Sequence, residues 1–203
     1  MPRPPLKLEP AHTALVISEC QNGVVGPSTT LPELAAAAAP VLPVIARVAE
    51  AARKAGVHVV HLTYAPVLGN RSSNLNTPLM AKTSQETGSW AKERSAGQVV
   101  DEIGTEPGDL VLQRHTGMSP THNTELFALL RNIGVTSVLL AGVSLNVAIP
   151  VATTELADEG FRVAIARDTV AGTPAEHAES MLRHTLRHLA TITTANEVIA
   201  AWS

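Results

Sequence analysis

The stretch Thr13-Ala14-Leu15-Val16-Ile17-Ser18 is an almost continuous apolar run of strand length, and it leads directly into the polar residues Glu19-Cys20-Gln21-Asn22. A strand that is apolar at every position, rather than at every second one, is typical of a parallel sheet covered by helices on both faces. The run therefore predicts a buried parallel strand whose carboxyl end carries Glu19.

Outward from this strand, strand-like and helix-like segments alternate along the whole chain. Further strands are predicted at 57–63, 109–113, 135–141, 162–166 and 191–194, and helices at 32–54, 124–132, 146–159 and 175–189, with a last helical turn reaching Trp202. This alternation predicts a single domain over residues 1–203 with a three-layer α/β/α fold, in which a doubly wound, mostly parallel six-stranded sheet has helices on both faces.

Residues 64–97 show no regular pattern, and they predict a long loop that covers the functional site. Arg71, Asn74 and Trp90 are the candidates in this loop for contact with a substrate.

Composition and charge exclude several classes of function. The 203 residues carry a formal net charge of -3 without a Lys/Arg run, which disfavours a nucleic-acid partner. The apolar stretch at 34–48 is interrupted by Pro40 and Pro43, so no membrane span is predicted. The single cysteine, Cys20, and an amino terminus that does not look like a secretion signal favour a cytoplasmic protein with a small-molecule partner.

In doubly wound sheets, ligands bind outside the carboxyl ends of the strands, at the point where the strand order reverses. That rule selects three segments of this chain: residues 19–22, 114–119 and 142–148.

These segments resemble isochorismatase-like hydrolases of the cysteine hydrolase superfamily. Residues 14–22 resemble a first strand that ends in Asp-x-Gln-Asn, and residues 109–114 resemble the segment that leads to the catalytic lysine. Residues 142–148 are similar to the segment that ends in the nucleophilic cysteine. The resemblance aligns Glu19 with the family's aspartate, Arg114 with its lysine and Ala148 with its cysteine, so the chain resembles a member without that nucleophile.

The resemblance implies a cofactor-independent hydrolase of a small, anionic metabolite, acting by a non-covalent acid/base mechanism such as vinyl ether hydrolysis. Glu19 would be the acid or the base, and Arg114 would bind a substrate carboxylate or pair with Glu19. The backbone N–H groups of Val147 and Ala148 would bind a substrate oxygen. Further substrate-binding candidates are Ser144, Gln21 and His115.

The resemblance also bears on metals and on assembly. The zinc-binding branch of the family has Asp-x-His where this chain has Tyr64-Ala65-Pro66, so no metal and no cofactor are expected. Members of the family commonly form dimers or tetramers, so the resemblance implies a homo-oligomer.

Two alternatives remain open. A serine triad of Ser144, Asp168 and either His184 or His188 has the chain order of α/β-hydrolases, although Asn146 replaces the second glycine of the nucleophile motif. The other alternative is a catalytically degenerate member that binds a ligand or a partner.

Overall fold

The computed structural model describes residues 7–86, 90 and 94–203. Six strands form one sheet: β1 (Thr13–Ser18), β2 (His58–Tyr64), β3 (Leu110–Arg114), β4 (Ser137–Val143), β5 (Arg162–Ala171) and β6 (Thr191–Thr193). Their order is β3-β2-β1-β4-β5-β6, and every neighbouring pair is parallel. The predicted six-stranded, doubly wound sheet is therefore confirmed.

The helices lie on both faces of this sheet. They are α1 (Pro32–Ala38), α2 (Leu42–Lys54), α3 (Pro78–Glu86), α4 (Leu126–Asn132), α5 (Ala148–Asp158), α6 (Ala175–Met181), α7 (Arg187–Leu189) and α8 (Ala195–Ala201), with a π-helical turn, Leu182–Leu186, between α6 and α7. One face of β1, carrying Leu15 and Ile17, packs in the core that contains α2 and α8. The other face, carrying Ala14 and Val16, packs in the core that contains α4 and α5. This burial on both faces explains why β1 is apolar at every position from Ala14 to Ile17.

The single helix predicted over 32–54 is wrong, because the structure divides it into α1 and α2. Pro40 lies in the break, where its ring and its missing N–H oppose a continuous helix. No single described helix is long and apolar enough to cross a membrane, and α1 and α2 reach that length and composition only as a pair bent by 55°.

Two other expectations need correction. The loop predicted over 64–97 contains α3 and a short 3-10 helix, Arg94–Gly97. Strand β5 continues five residues beyond its predicted end, so Asp168 lies within the strand, in the stretch where the register against β4 shifts between Ile165 and Val170.

A buried polar cluster joins β2, α2 and the start of β3. The Asp109 carboxylate accepts hydrogen bonds from Arg53 (Nη2 at 2.6 Å and Nε at 3.2 Å), and His61 Nε2 lies 3.1 Å from the same carboxylate. His61 is 1% exposed, and its Nδ1 has no partner in the described part of the chain. Burial lowers the pKa of His61, against the opposing effect of Asp109. Burial alone would raise the pKa of Asp109, but hydrogen bonds from Arg53, the Glu106 N–H and His61 lower it.

This cluster predicts a fold that loses stability in mild acid. Since the pKa of His61 is lowered by folding, the unfolded chain takes up a proton near pH ~6.5 while the folded chain resists it. The free energy of unfolding should therefore fall as the pH drops below that value. The loss should be about 1.4 kcal/mol for each pH unit by which folding lowers the pKa of His61. Urea unfolding at pH 8 and pH 5 measures the loss, and His61→Gln should reduce it. An equal loss in both proteins would contradict the prediction.

Candidate active site

A cavity of about 470 Å³ opens at the carboxyl ends of the strands. Strands β2 and β3 are added to one side of β1, and β4 to β6 to its other side, so the strand order reverses between β1 and β4. The segments that follow β1 and β4 both line the cavity. This is the place where doubly wound sheets bind ligands.

Glu19 and Arg114 form an ion pair in the wall of this cavity. Arg114, the last residue of β3, places Nη2 2.7 Å from Glu19 Oε1, and the two side chains are only 7% and 16% exposed, respectively. Glu19 follows β1 with φ 53°, in the left-handed region that non-glycine residues rarely adopt. Such conformations persist where the surroundings enforce them, and they cluster at functional sites.

Arg114 is also held by its other neighbours. Nη2 and Nε lie 3.4 Å from the backbone oxygens of Met118 and Gly117, and the guanidinium lies 4.8 Å from the centre of the Tyr64 ring. Nη1 is buried without a hydrogen-bond partner among the described residues. These contacts hold the Arg114 guanidinium in place beside the Glu19 carboxylate.

The segment after β4 forms another wall, and Ser144, Val147 and Ala148 all line the cavity, as does Asn146. The Val143–Ser144 peptide bond is cis. The Val147 N–H donates to Ser144 O at 3.3 Å, whereas the Ala148 N–H, at the first residue of α5, has no acceptor in the described part of the chain. Asn146 does not cap α5, because its side chain bonds the backbone of Thr173. Of the two predicted oxygen-binding groups, Ala148 N–H is thus the free one.

Two predicted substrate-binding residues lie outside the cavity lining. Gln21 is fully buried, and its side-chain amide donates to Tyr64 O (2.7 Å) and Ala96 O (2.8 Å) and accepts from Tyr64 N (2.6 Å). His115 is exposed, with Nδ1 2.7 Å from Ala65 O. Both side chains form hydrogen bonds with backbone groups, which explains why they do not line the cavity.

The structure also does not assemble the alternative nucleophiles. Asp168 Oδ1 accepts the Ala195 N–H at 2.8 Å, and neither Asp168 nor His184 nor His188 lines the cavity with Ser144. Cys20 is 3% exposed, and burial, together with the Glu19 charge, raises the pKa of its thiol to about 12. A thiol with such a pKa is protonated at neutral pH and is a poor nucleophile.

The remaining walls come from the 64–97 segment, which was predicted to cover the site, and from α1, whose role the sequence did not reveal. The loop residue Trp90 lines the cavity, 6.4 Å from the Tyr64 ring centre in an edge-on arrangement, whereas the candidates Arg71 and Asn74 do not line it. Leu34 of α1 and Met80 of α3 add aliphatic surface. Only the apolar composition of α1 and the position of Trp90 in the loop were signals for these walls. Within residues 7–86, 90 and 94–203 no three His, Cys, Asp or Glu side chains converge as metal ligands.

Glu155 of α5 anchors the loop that holds Arg114. Its Oε2 accepts hydrogen bonds from Thr121 Oγ1 and, at 2.7 Å, from Ser119 Oγ. Ser119 Oγ in turn accepts the N–H groups of Thr121 (3.2 Å) and His122 (3.1 Å). The carboxylate thereby fixes the loop that begins at Arg114 against the helix that begins at Ala148.

Glu155→Ala is expected to destabilise the fold by about 1–3 kcal/mol, because the hydroxyls of Ser119 and Thr121 lose their acceptor. Urea unfolding measures this loss. Thr154→Ala is the control, since that exposed hydroxyl bonds only the Pro150 carbonyl of its own helix. Equal effects of the two substitutions would show that Glu155 is no anchor.

The chain is similar in sequence to known proteins over most of its length. The family model described as the Isochorismatase domain matches residues 13–197. The chain is 29% identical over 171 residues to a ureidoacrylate amidohydrolase RutB of Methylobacterium radiotolerans, covering 71% of this chain and 61% of that protein. It is 30% identical over 162 residues to the RutB of an Enterobacter species, covering 69% and 66%. The chain thus spans less than two thirds of the length of these curated relatives.

Solved structures show the same fold. A cysteine hydrolase from Pseudomonas syringae pv. phaseolicola superimposes with a TM-score of 0.84 at 21% identity, covering 100% of this chain and 98% of that one. An N-carbamoylsarcosine amidase from Thermoplasma acidophilum gives a TM-score of 0.69 at 22% identity, covering 91% and 96%.

Proposed function

The chain belongs to the isochorismatase family, and from this premise we propose that it is a hydrolase of a small metabolite in which Glu19 and water, not a cysteine, break the bond. The observation that carries the proposal is the Glu19–Arg114 ion pair in the wall of a cavity that Ala148 also lines. The names of the relatives, an amidohydrolase and an amidase, support hydrolysis as the reaction type.

A covalent thioester route lacks its nucleophile in this chain. Ala148 stands at the position that resembles the family's cysteine site, and a methyl group cannot attack a substrate. The one cysteine, Cys20, is buried and does not line the cavity. We therefore assign the attacking role to water.

The ion pair favours a base role for Glu19. As a carboxylate, Glu19 would accept a proton from water as the water oxygen bonds to an electrophilic carbon of the substrate. The Ala148 N–H would donate to the oxygen on which negative charge develops. When the substrate bond breaks, Glu19 would return the proton to the leaving group, so that one water is consumed and the enzyme is regenerated.

Vinyl ether hydrolysis would need the opposite state of Glu19, a carboxylic acid that donates a proton. In the 2.7 Å ion pair with Arg114, Glu19 acts as a hydrogen-bond acceptor and not as a donor, so an acyl bond fits the site better than a vinyl ether. The anionic substrate, the homo-oligomer, the cytoplasmic location and the single domain over 1–203 stay predictions from the sequence and the family resemblance.

The test starts from a thermal-shift screen of amides, ureido compounds, esters and vinyl ethers, followed by product detection for every compound that stabilises the protein. Hydrolysis that survives in a folded Cys20→Ala variant would support the proposal, because the sequence has no other cysteine. Loss of activity in that folded variant would contradict the thiol-free route. Compounds that bind but are not hydrolysed would favour the alternative of a degenerate, ligand-binding member.

A further inference from the structure

Among the described residues that line the cavity, the positive and negative charges are equal in number. Glu19 and Arg114 pair directly in the interior, and the only other charged lining residues in the described part of the chain are Glu33 and Lys82, both exposed. Two acids and two bases leave the described part of the lining without a formal net charge.

Arg114 in particular is not free for a substrate anion. Its Nη2 is 2.7 Å from Glu19 Oε1, and its side chain is 7% exposed. A carboxylate that approached the guanidinium would also approach the Glu19 carboxylate. The anion would lose its hydration and gain no unpaired cation in return, which is a costly exchange in a partly enclosed site.

The groups that remain for a ligand are apolar surface and neutral hydrogen-bond donors. Trp90, Met80 and Leu34 offer aromatic and aliphatic walls. Thr30, a lining residue, has a buried hydroxyl without a partner among the described residues, and the Ala148 N–H likewise has no acceptor there. A carbonyl-type oxygen can accept from such donors and brings no full charge.

We propose that the cavity selects an uncharged ligand with an apolar body and a carbonyl-type oxygen, and that it rejects a carboxylate of the same shape. This departs from the anionic substrate that the sequence predicts. The proposal rests on the proposed function only in taking this cavity as the substrate site, because binding can be measured without turnover.

Matched probe pairs test the selection directly. Benzamide and benzoate, and hexanamide and hexanoate, differ within each pair almost only in charge near neutral pH. Calorimetric or NMR titration of the wild-type protein should show each amide binding at least about tenfold more tightly than its carboxylate, equivalent to about 1.4 kcal/mol. Carboxylates that bind as well as the amides, or amides that do not bind at all, would overturn the proposal.

Two variants identify the Glu19–Arg114 pair as the origin of the selection. Glu19→Gln leaves the Arg114 cation uncompensated, so benzoate should become the preferred probe by about tenfold. The double variant Glu19→Gln/Arg114→Gln is the control, because it removes both charges and should keep the preference for benzamide. A Glu19→Gln protein that folds, by circular dichroism, and still rejects benzoate would refute the assignment; if it does not fold, the wild-type and double-variant titrations decide.

The outcomes also separate this inference from the proposed function. Tight binding of amides without hydrolysis of any compound would defeat the hydrolase proposal and leave the selection rule intact. Efficient hydrolysis of a carboxylate-bearing substrate would defeat the selection rule and leave the hydrolase proposal intact.

Discussion

Replacing Glu19 by Gln is expected to lower kcat by about 10²–10⁴-fold, the contribution that a positioned general base makes. The amide of Gln keeps the size of the side chain and can still accept a hydrogen bond from Arg114, but it cannot take a proton from water. Steady-state kinetics on the substrate found by the screen, at several pH values, measure the loss.

The control for this substitution is Glu179→Gln. Glu179 also pairs with an arginine at 2.7 Å, Arg167, but that pair is exposed and its residues do not line the cavity. This variant should keep wild-type turnover. Because Glu19→Gln leaves a buried guanidinium without its counterion, urea unfolding must show that it is folded under the assay conditions. Wild-type kcat in a folded Glu19→Gln protein would remove Glu19 from the mechanism.

Gly142→Ala is expected to be the most destabilising small substitution near the site, with a loss of at least about 3 kcal/mol. Gly142 pairs with Ser18 where β4 and β1 end, and its φ is 101°. A Cβ at this position would lie 2.1 Å from Ser18 O, a backbone atom that cannot move without displacing β1. The substitution thus combines a strained conformation with a steric overlap at Ser18, the residue immediately before Glu19.

Gly134→Ala separates these two effects. Gly134 also has a positive φ, 77°, but a Cβ there would have no atom within 4 Å. It should cost only the conformational term, about 1–2 kcal/mol, and in a domain of this size each kcal/mol corresponds to roughly 2–4 °C in Tm. Thermal unfolding of both variants measures the difference. Similar Tm values for Gly142→Ala and Gly134→Ala would show that the close approach to Ser18 is relieved without cost.

The fold was predictable because its deciding signals are local. The four consecutive apolar residues 14–17 of β1 require cover on both faces of the sheet. Similar runs along the chain predict the layered sheet. The sequence did not predict two features of the fold, namely the break between α1 and α2 and the helix α3, and the reasons differ. The helix predicted over 32–54 includes Pro40, which instead lies in the break between α1 and α2. Helix α3 lies in a segment whose polar and proline-containing neighbours obscure its helical pattern.

The site was predictable only as far as strand ends determine it. Glu19, Arg114 and Ala148 meet at one cavity because each lies at or just beyond the carboxyl end of a parallel strand. Gln21 and His115 lie only one or two residues further along, yet their side chains turn to backbone partners, since direction in a loop depends on tertiary contacts that a sequence pattern does not contain. The ion pair itself was one of two open roles for Arg114, and only its geometry distinguishes them.

The most direct test of the central claim, hydrolysis by water and Glu19 without a covalent intermediate, is intact-protein mass spectrometry of the wild-type enzyme quenched during turnover. We predict an unmodified chain at every time point while product accumulates. A substrate-derived mass on the protein that forms and decays at the rate of turnover, located at Cys20 or at Glu19, would contradict the mechanism.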